Sequence, residues 1–196
     1  MSGTYAGGFF FILNALVYFA VFLAVVRFLV QAMQVDFYNP LVQSIVNITQ
    51  PVLAPLRKIL ILPARRLFDY AALAVALAGV LLADSLPVLA GVYEWPGLAA
   101  ALLKASFGVV SIILDVYWFA LLIMVIVSWV APAAQHPGLE LIRQLTEPIT
   151  EPFRKLIPPV GGLDFSILLV FLVLSALDRY ILPAFERSLG SFLGLF

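Results

Sequence analysis

Cysteine is absent from the 196-residue chain, and histidine occurs once, at position 136. A disulfide, a thiolate zinc site, an iron–sulfur cluster and a CxxCH haem attachment are therefore excluded within this chain. Bis-histidine haem ligation and a Ser-His-Asp triad each need a well-placed imidazole, and only His136 can offer one. Charge is also scarce, at 11% Asp, Glu, Lys and Arg against about 25% in soluble domains. Eleven basic and eleven acidic residues cancel to a formal net charge of zero. There is no glycine-rich phosphate loop, HExxH or paired-carboxylate motif on a soluble element, so no enzymatic activity, cofactor or metal is expected.

What the chain has is apolar bulk: 64% of its residues are hydrophobic. A single domain of this length still exposes about 30% of its unfolded surface, so that much apolar area cannot be hidden inside it. Part of the solvent must be lipid, which sets aside a soluble enzyme or nucleic-acid binder. A spanning helix needs about 20 apolar residues. Four spans are predicted, over residues 9–33, 67–89, 107–130 and 163–182, the last closing with Asp178, Arg179 and Pro183. The second carries small residues at Ala72, Ala76, Gly79 and Ala83, a spacing that permits close helix approach. Residues 97–131 are too long for one crossing. Lys104 and Gly108 divide them, suggesting an interfacial piece before the third span. The first residues lack a basic n-region and read as the start of a retained membrane segment.

Residues 39–63 and 136–159 are proline-punctuated and amphipathic. Leu139, Ile142, Leu145 and Ile149 recur at helical spacing between polar residues, which suits a helix lying in the membrane interface. The two segments align without a gap at an offset of 97, with seven identities over 22 positions. The identities are Pro40/Pro137, Ile45/Ile142, Thr49/Thr146, Pro51/Pro148, Pro55/Pro152, Arg57/Arg154 and Lys58/Lys155. Asn39 stands opposite His136, which reads as a turn or cap residue. After a two-residue shift, Asp69 matches Asp164 at the mouth of the following span. The chain thus reads as a tandem duplication, residues 1–97 and 98–196, each a span, an amphipathic segment and a span. The expected fold is an all-α integral membrane protein of two parallel repeats.

Two spans separate equivalent points, so both amphipathic segments should share one side of the membrane. Arg57, Lys58, Arg65, Arg66, Arg143, Arg154 and Lys155 gather there, against Lys104, Arg179 and Arg187 opposite. The positive-inside rule then puts the repeat segments in the cytoplasm and both termini outside. Arg27 sits inside span one, toward the basic side.

These motifs carry a resemblance. Asp36-Phe37-Tyr38-Asn39-Pro40, the run from Thr49 to Lys58, Leu145-Thr146-Glu147-Pro148, Pro152 to Pro159 and Gly161-Gly162-Leu163-Asp164-Phe165-Ser166 resemble the YggT family of integral membrane proteins, related to YlmG and Ycf19. The resemblance covers essentially the whole chain as two copies and implies a bacterial inner-membrane protein. It also implies links to osmotic or potassium homeostasis, to cell-division or envelope organisation, and, in plastid relatives, to assembly of haem-containing membrane complexes.

The shared T-x-P-x-x-x-P-[LF]-R-K core admits two readings. In the plainer one the first proline ends a helix, the second begins another and the threonine caps it, forming a stiff corner whose Arg-Lys pair snorkels to phosphates. In the other, the paired basic segments bind anionic headgroups or a protein partner, each cation contributing about 1 kcal/mol. Within the spans, Asn14, Asp84, Asp115 and Asp178 are the polar candidates. An ionised carboxylate at mid-span costs about 2.5–3.5 kcal/mol, so Asp115 needs a partner, an aqueous cavity or a proton. Lys104 and Arg179 are its candidate partners. A bundle-fixing ion pair and a cation- or proton-handling site both fit. Two functions compete accordingly: a scaffold or assembly factor with a membrane-protein partner or a second copy of itself, and a small cation-uptake protein.

Overall fold

The computed structural model describes residues 2–59, 68–131, 133–156 and 165–195, and every regular element among them is helical. Helix α1 spans Ser2–Ala32, α2 Pro40–Ile59, α3 Tyr70–Leu89, α4 Leu98–Val130 and α5 Pro137–Leu156. Helix α6, Phe165–Ala176, runs through a π-helical turn, Leu177–Ile181, into α7, Leu182–Phe192. Among the described residues four stretches are long and apolar enough to cross a membrane: Gly8–Ala32, Tyr70–Leu89, Leu98–Ser128 and Ser166–Phe192. The chain is an all-α membrane protein with four such helices.

Helix–helix association in lipid gains little from apolar burial, so close packing and interhelical hydrogen bonds must hold the bundle. The small-residue stripe on α3 meets this need. Ala72, Ala76 and Ala83 are fully buried. A Cβ added at Gly79 would lie 2.4 Å from Val21 Cγ2 of α1. Val21, Val25 and Leu29 of α1 join Val80 of α3, Leu121 of α4 and Val170 of α6 in one continuous core.

The two amphipathic helices lie at one end of this bundle and touch each other. Asn39 Nδ2 donates to the Pro137 carbonyl at 2.7 Å, and the Asp36 N–H donates to Gln144 Oε1 at 2.8 Å. Asn39 also accepts the Leu41 N–H at 2.9 Å, so one side chain caps α2 and holds the start of α5. At the matching position His136 Nδ1 accepts the Gly138 N–H at 3.0 Å. The α1–α2 corner closes with the Val35 N–H on the Val30 carbonyl, and Gln34 takes the left-handed φ of 54° that usually falls to glycine.

Three expectations are corrected. The prolines of the shared motif do not break the chain into two helices, because α2 runs through Pro51 and Pro55 and α5 through Pro148 and Pro152. Proline four residues from proline lies on the same helix face, and all four are exposed, so the carbonyls they leave unbonded face outward. Thr49 and Thr146, buried on the inner side, cap nothing; their hydroxyls donate back to the Ile45 and Ile142 carbonyls at 2.7 and 2.9 Å. Next, Leu98–Val130 form one helix of 33 residues rather than an interfacial piece and a span. Gly108 is a contact point, not a break: an added Cβ would meet Val80 Cγ1 of α3 at 2.9 Å. The helix ends where Pro132 follows, since the residue before proline disfavours α geometry, and Ala131 has φ −147° and ψ 64°. Finally, the last span does not close near residue 182. The π turn bonds the Leu182 N–H to the Leu177 carbonyl, and the helix continues past Pro183 to Phe192.

Candidate functional site

Asp69 caps α3 from an extended-type conformation, its Oδ1 accepting the Ala72 N–H at 3.4 Å. Its other oxygen, Oδ2, takes a charge-assisted hydrogen bond from Arg57 Nη2 at the end of α2. Arg27 of α1 approaches the same oxygen, with Nε at 3.7 Å. Three elements therefore converge on one carboxylate. Asp69 is 5% exposed and Arg27 9%, whereas a third of the Arg57 side chain reaches the surface. Leu53, Ala71 and Ala72 form a small buried cluster beside the node, covered by Phe28 and Val75. A carboxylate so enclosed needs its cations, because an unpaired buried charge is costly. Two arginines on one aspartate leave a surplus of one positive charge. Arg27 Nη1 is buried with no hydrogen-bond partner among the described residues.

The remaining basic candidates differ from Arg57. Lys58 is exposed. Lys155 is exposed and pairs with Glu151 at 2.8 Å, one helical turn away, which holds the Glu151 carboxyl below its usual range through the lysine's hydrogen bond and charge. Arg143 is exposed, 3.6 Å from Glu140, and Arg154 is half-buried. Arg65, Arg66, Gly161, Gly162 and Asp164 lie outside the described residues. Pro40 and Pro137 open α2 and α5 at their exposed ends.

The intramembrane polar residues fall into two groups. Asn14 Nδ2 donates to the Ala83 carbonyl at 2.9 Å, and Tyr18 OH donates to Asp84 Oδ1 at 3.1 Å, tying α1 to α3. On the other half, Ser111 donates to Asp178 Oδ1 at 2.5 Å and Trp118 Nε1 to Ser175 at 3.1 Å, tying α4 to the α6 helix and its π turn. Asp115, Asp178, Ser175 and Arg179 line one cavity of about 180 Å³. Of the two partners considered for Asp115, Arg179 shares its cavity; Lys104 lines another with Asp84 and Glu94.

The two groups correspond. Offsets of 97 on the first span and 95 on the second carry Asn14 to Ser111 and Ala83 to Asp178, so the two polar ties join equivalent positions. The CCB3/YggT family matches residues 6–90 and 103–185, segments that begin 97 residues apart and end 95 apart. This chain belongs to the CCB3/YggT family. It is 40% identical over 181 residues to an uncharacterized protein of Pseudomonas aeruginosa, covering 92% of this chain and 91% of that one. With YggT of Escherichia coli K12 it shares 32% identity over 186 residues, 91% of each chain. A chloroplastic YlmG homolog of Arabidopsis thaliana is 36% identical over 81 residues, 41% of this chain and 32% of that protein. No solved structure matches. Within this CCB3/YggT chain the duplication is not uniform, because the offset that pairs Arg57 with Arg154 places Met124 opposite Arg27.

Reading the sequence alone passes over Asp69 and Arg27 as site residues. The signal for both is present: aspartate recurs at matching positions in the two copies, and Arg27 is the one charged residue between positions 8 and 32. An ionisable residue at membrane depth is a functional candidate by default.

Proposed function

We propose that this CCB3/YggT protein is a non-enzymatic, multi-pass scaffold or assembly factor of the bacterial inner membrane. It engages anionic headgroups and a membrane-protein partner, or a second copy of itself, through α2 and α5. In this reading the two repeats are parallel, the amphipathic helices face the cytoplasm and both termini lie outside. The observation that carries it is the joining of α2 and α5 through Asn39–Pro137 and Asp36–Gln144, which makes one platform of two amphipathic helices with an Arg-Lys pair at each far end. Among the described residues the exposed cations of this face are Lys58, Arg143 and Lys155, since Arg57 is committed to Asp69. Each is worth about 1 kcal/mol near an anionic surface. The test is co-purification in mild detergent of the wild type and a Lys58→Gln, Arg143→Gln, Lys155→Gln variant. The variant should lose its co-purifying proteins while remaining folded, and an unchanged set of partners refutes the platform.

A second reading, cation uptake under osmotic stress, is favoured by the meeting of Asp115, Asp178 and Ser175 at one cavity between α4 and α6. Asp115→Asn and Asp178→Asn should then stop potassium uptake in a deficient host. Uptake at the wild-type rate in both variants removes this reading.

A further inference from the structure

A second cavity, of about 390 Å³, opens between the end of α1 and the start of α2. Arg27, Val30, Val35, Phe37, Val42 and Val46 are among the residues that line it. The wall is mainly apolar, with Gln31 and Gln34 beside Arg27 as its polar members, and Arg27 is the side chain that carries the surplus charge of the Asp69 node. Its Nε faces Asp69, while Nη1 is shielded from water and has no hydrogen-bond partner among the described residues. An unmet charged donor costs more than a neutral one, and a guanidinium fork matches phosphate oxygens in shape and charge. A monoanion bound in the cavity beside Arg27 would neutralise the node.

We propose that this cavity is a binding site for one anionic phospholipid, its phosphate on Arg27 and the upper part of an acyl chain along Val30, Val35, Phe37, Val42 and Val46. The site's place at the amphipathic end of the bundle sets Arg27 near headgroup depth, and the five apolar side chains of the wall suit a lipid better than free phosphate. Met124 at the matching position of the second repeat makes it a single site rather than a pair. The proposal rests on the scaffold reading only in taking anionic lipid as a ligand. It invokes a different place and different residues from the exposed cations of that platform.

The test uses the full chain, stripped of lipid in mild detergent and titrated in native mass spectrometry with phosphatidylglycerol or phosphatidylcholine of the same acyl chains. The wild type should bind one phosphatidylglycerol about tenfold more tightly than phosphatidylcholine, a difference of about 1.4 kcal/mol. Arg27→Met, which copies the second repeat, should reduce that preference to parity. Val46→Phe, which fills the cavity and leaves the Arg27–Asp69 pair in place, should do the same, and it decides the matter if Arg27→Met folds poorly. Lys58→Gln with Lys155→Gln should keep the preference. Retention of the wild-type preference in either Arg27→Met or Val46→Phe overturns the site. So does its loss in the lysine variant alone, which would assign the lipid to the exposed platform. Inorganic phosphate that abolishes phosphatidylglycerol binding at equal concentration would assign the site to the free ion and overturn the lipid. Loss of the scaffold's protein partners in the lysine variant, with lipid binding intact, separates the fate of the two proposals.

Discussion

Asp69→Asn isolates the charge of the node from its shape. Asparagine keeps the side-chain size and retains an oxygen that can accept the Ala72 N–H, so the cap on α3, worth about 1 kcal/mol, should survive. What is lost is the only negative charge described beside Arg27 and Arg57. Arg57 can turn its partly exposed side chain to the surface, which limits its share to the value of an exposed pair, at most about 1 kcal/mol. Arg27 has far less access to water, being 9% exposed. Removing one partner of a buried pair costs about 3–5 kcal/mol, and the 3.7 Å approach of Arg27 places it at the lower end. The expected loss is therefore about 3–4 kcal/mol, a large part of the 5–15 kcal/mol typical of a folded chain. It can be read as the shift in unfolding midpoint on titrating dodecyl sulfate into lipid-free detergent micelles. Arg27→Met combined with Asp69→Asn should recover about 2 kcal/mol, because no buried charge is then left unpaired. A loss below about 1 kcal/mol for the single variant, or no recovery in the double, would refute the buried-pair account.

Gly79→Val should destabilise the bundle by about 1–3 kcal/mol through overpacking against Val21, whereas Gly8→Ala, with nothing within 4 Å, should be neutral in the same unfolding titration. Asn39→Ala removes both the α2 cap and the bond to the Pro137 carbonyl; a loss of about 1–2 kcal/mol is expected, with faster hydrogen exchange at the start of α5. Gln34→Gly relieves a left-handed φ and should stabilise the α1–α2 corner by about 1 kcal/mol in thermal unfolding. The absence of cysteine makes the chain a clean background for labelling: Ser44→Cys and Glu151→Cys should react with an impermeant maleimide from one side of the membrane and Tyr93→Cys from the other. Labelling of Ser44→Cys and Glu151→Cys from opposite sides would refute the parallel arrangement.

Much of this architecture is legible in the sequence because lipid imposes a coarse rule. Long apolar runs become helices, and the amphipathic period between them survives even through prolines. The prolines mislead because their penalty depends on what surrounds them. A missing N–H strands a carbonyl, which matters little when every such residue lies on an exposed face, as Pro51, Pro55, Pro148 and Pro152 do. Gly108 misleads in the same way, since a glycine marks either a bend or a close approach, and only the position of Val80 decides which. The node is harder still. Asp69, Arg57 and Arg27 are separated by a corner, a helix and a span, and no periodicity links them. Their alignment with Asp164, Arg154 and Met124 shows only that two of the three recur.

That divergence explains how one duplicated unit can hold two different interiors. In the first copy the face of α3 toward α1 is Ala72, Ala76, Gly79 and Ala83; the matching residues of the second are Ile167, Phe171, Leu174 and Asp178. Small side chains let α1 and α3 approach until Gly79 touches Val21, and the polar tie from Asn14 then needs only a backbone carbonyl, that of Ala83. In the second copy these positions carry larger side chains, and the tie from Ser111 reaches a side chain, Asp178. Beside that tie lies the cavity lined by Asp115 and Arg179. At the other end of the bundle the asymmetry runs the opposite way: the closely packed copy encloses a charged Arg27, and the looser copy has Met124. At the matching position the second copy has a thioether where the first has a charge. The interior of each half thus follows from the size of a few residues on one helix face.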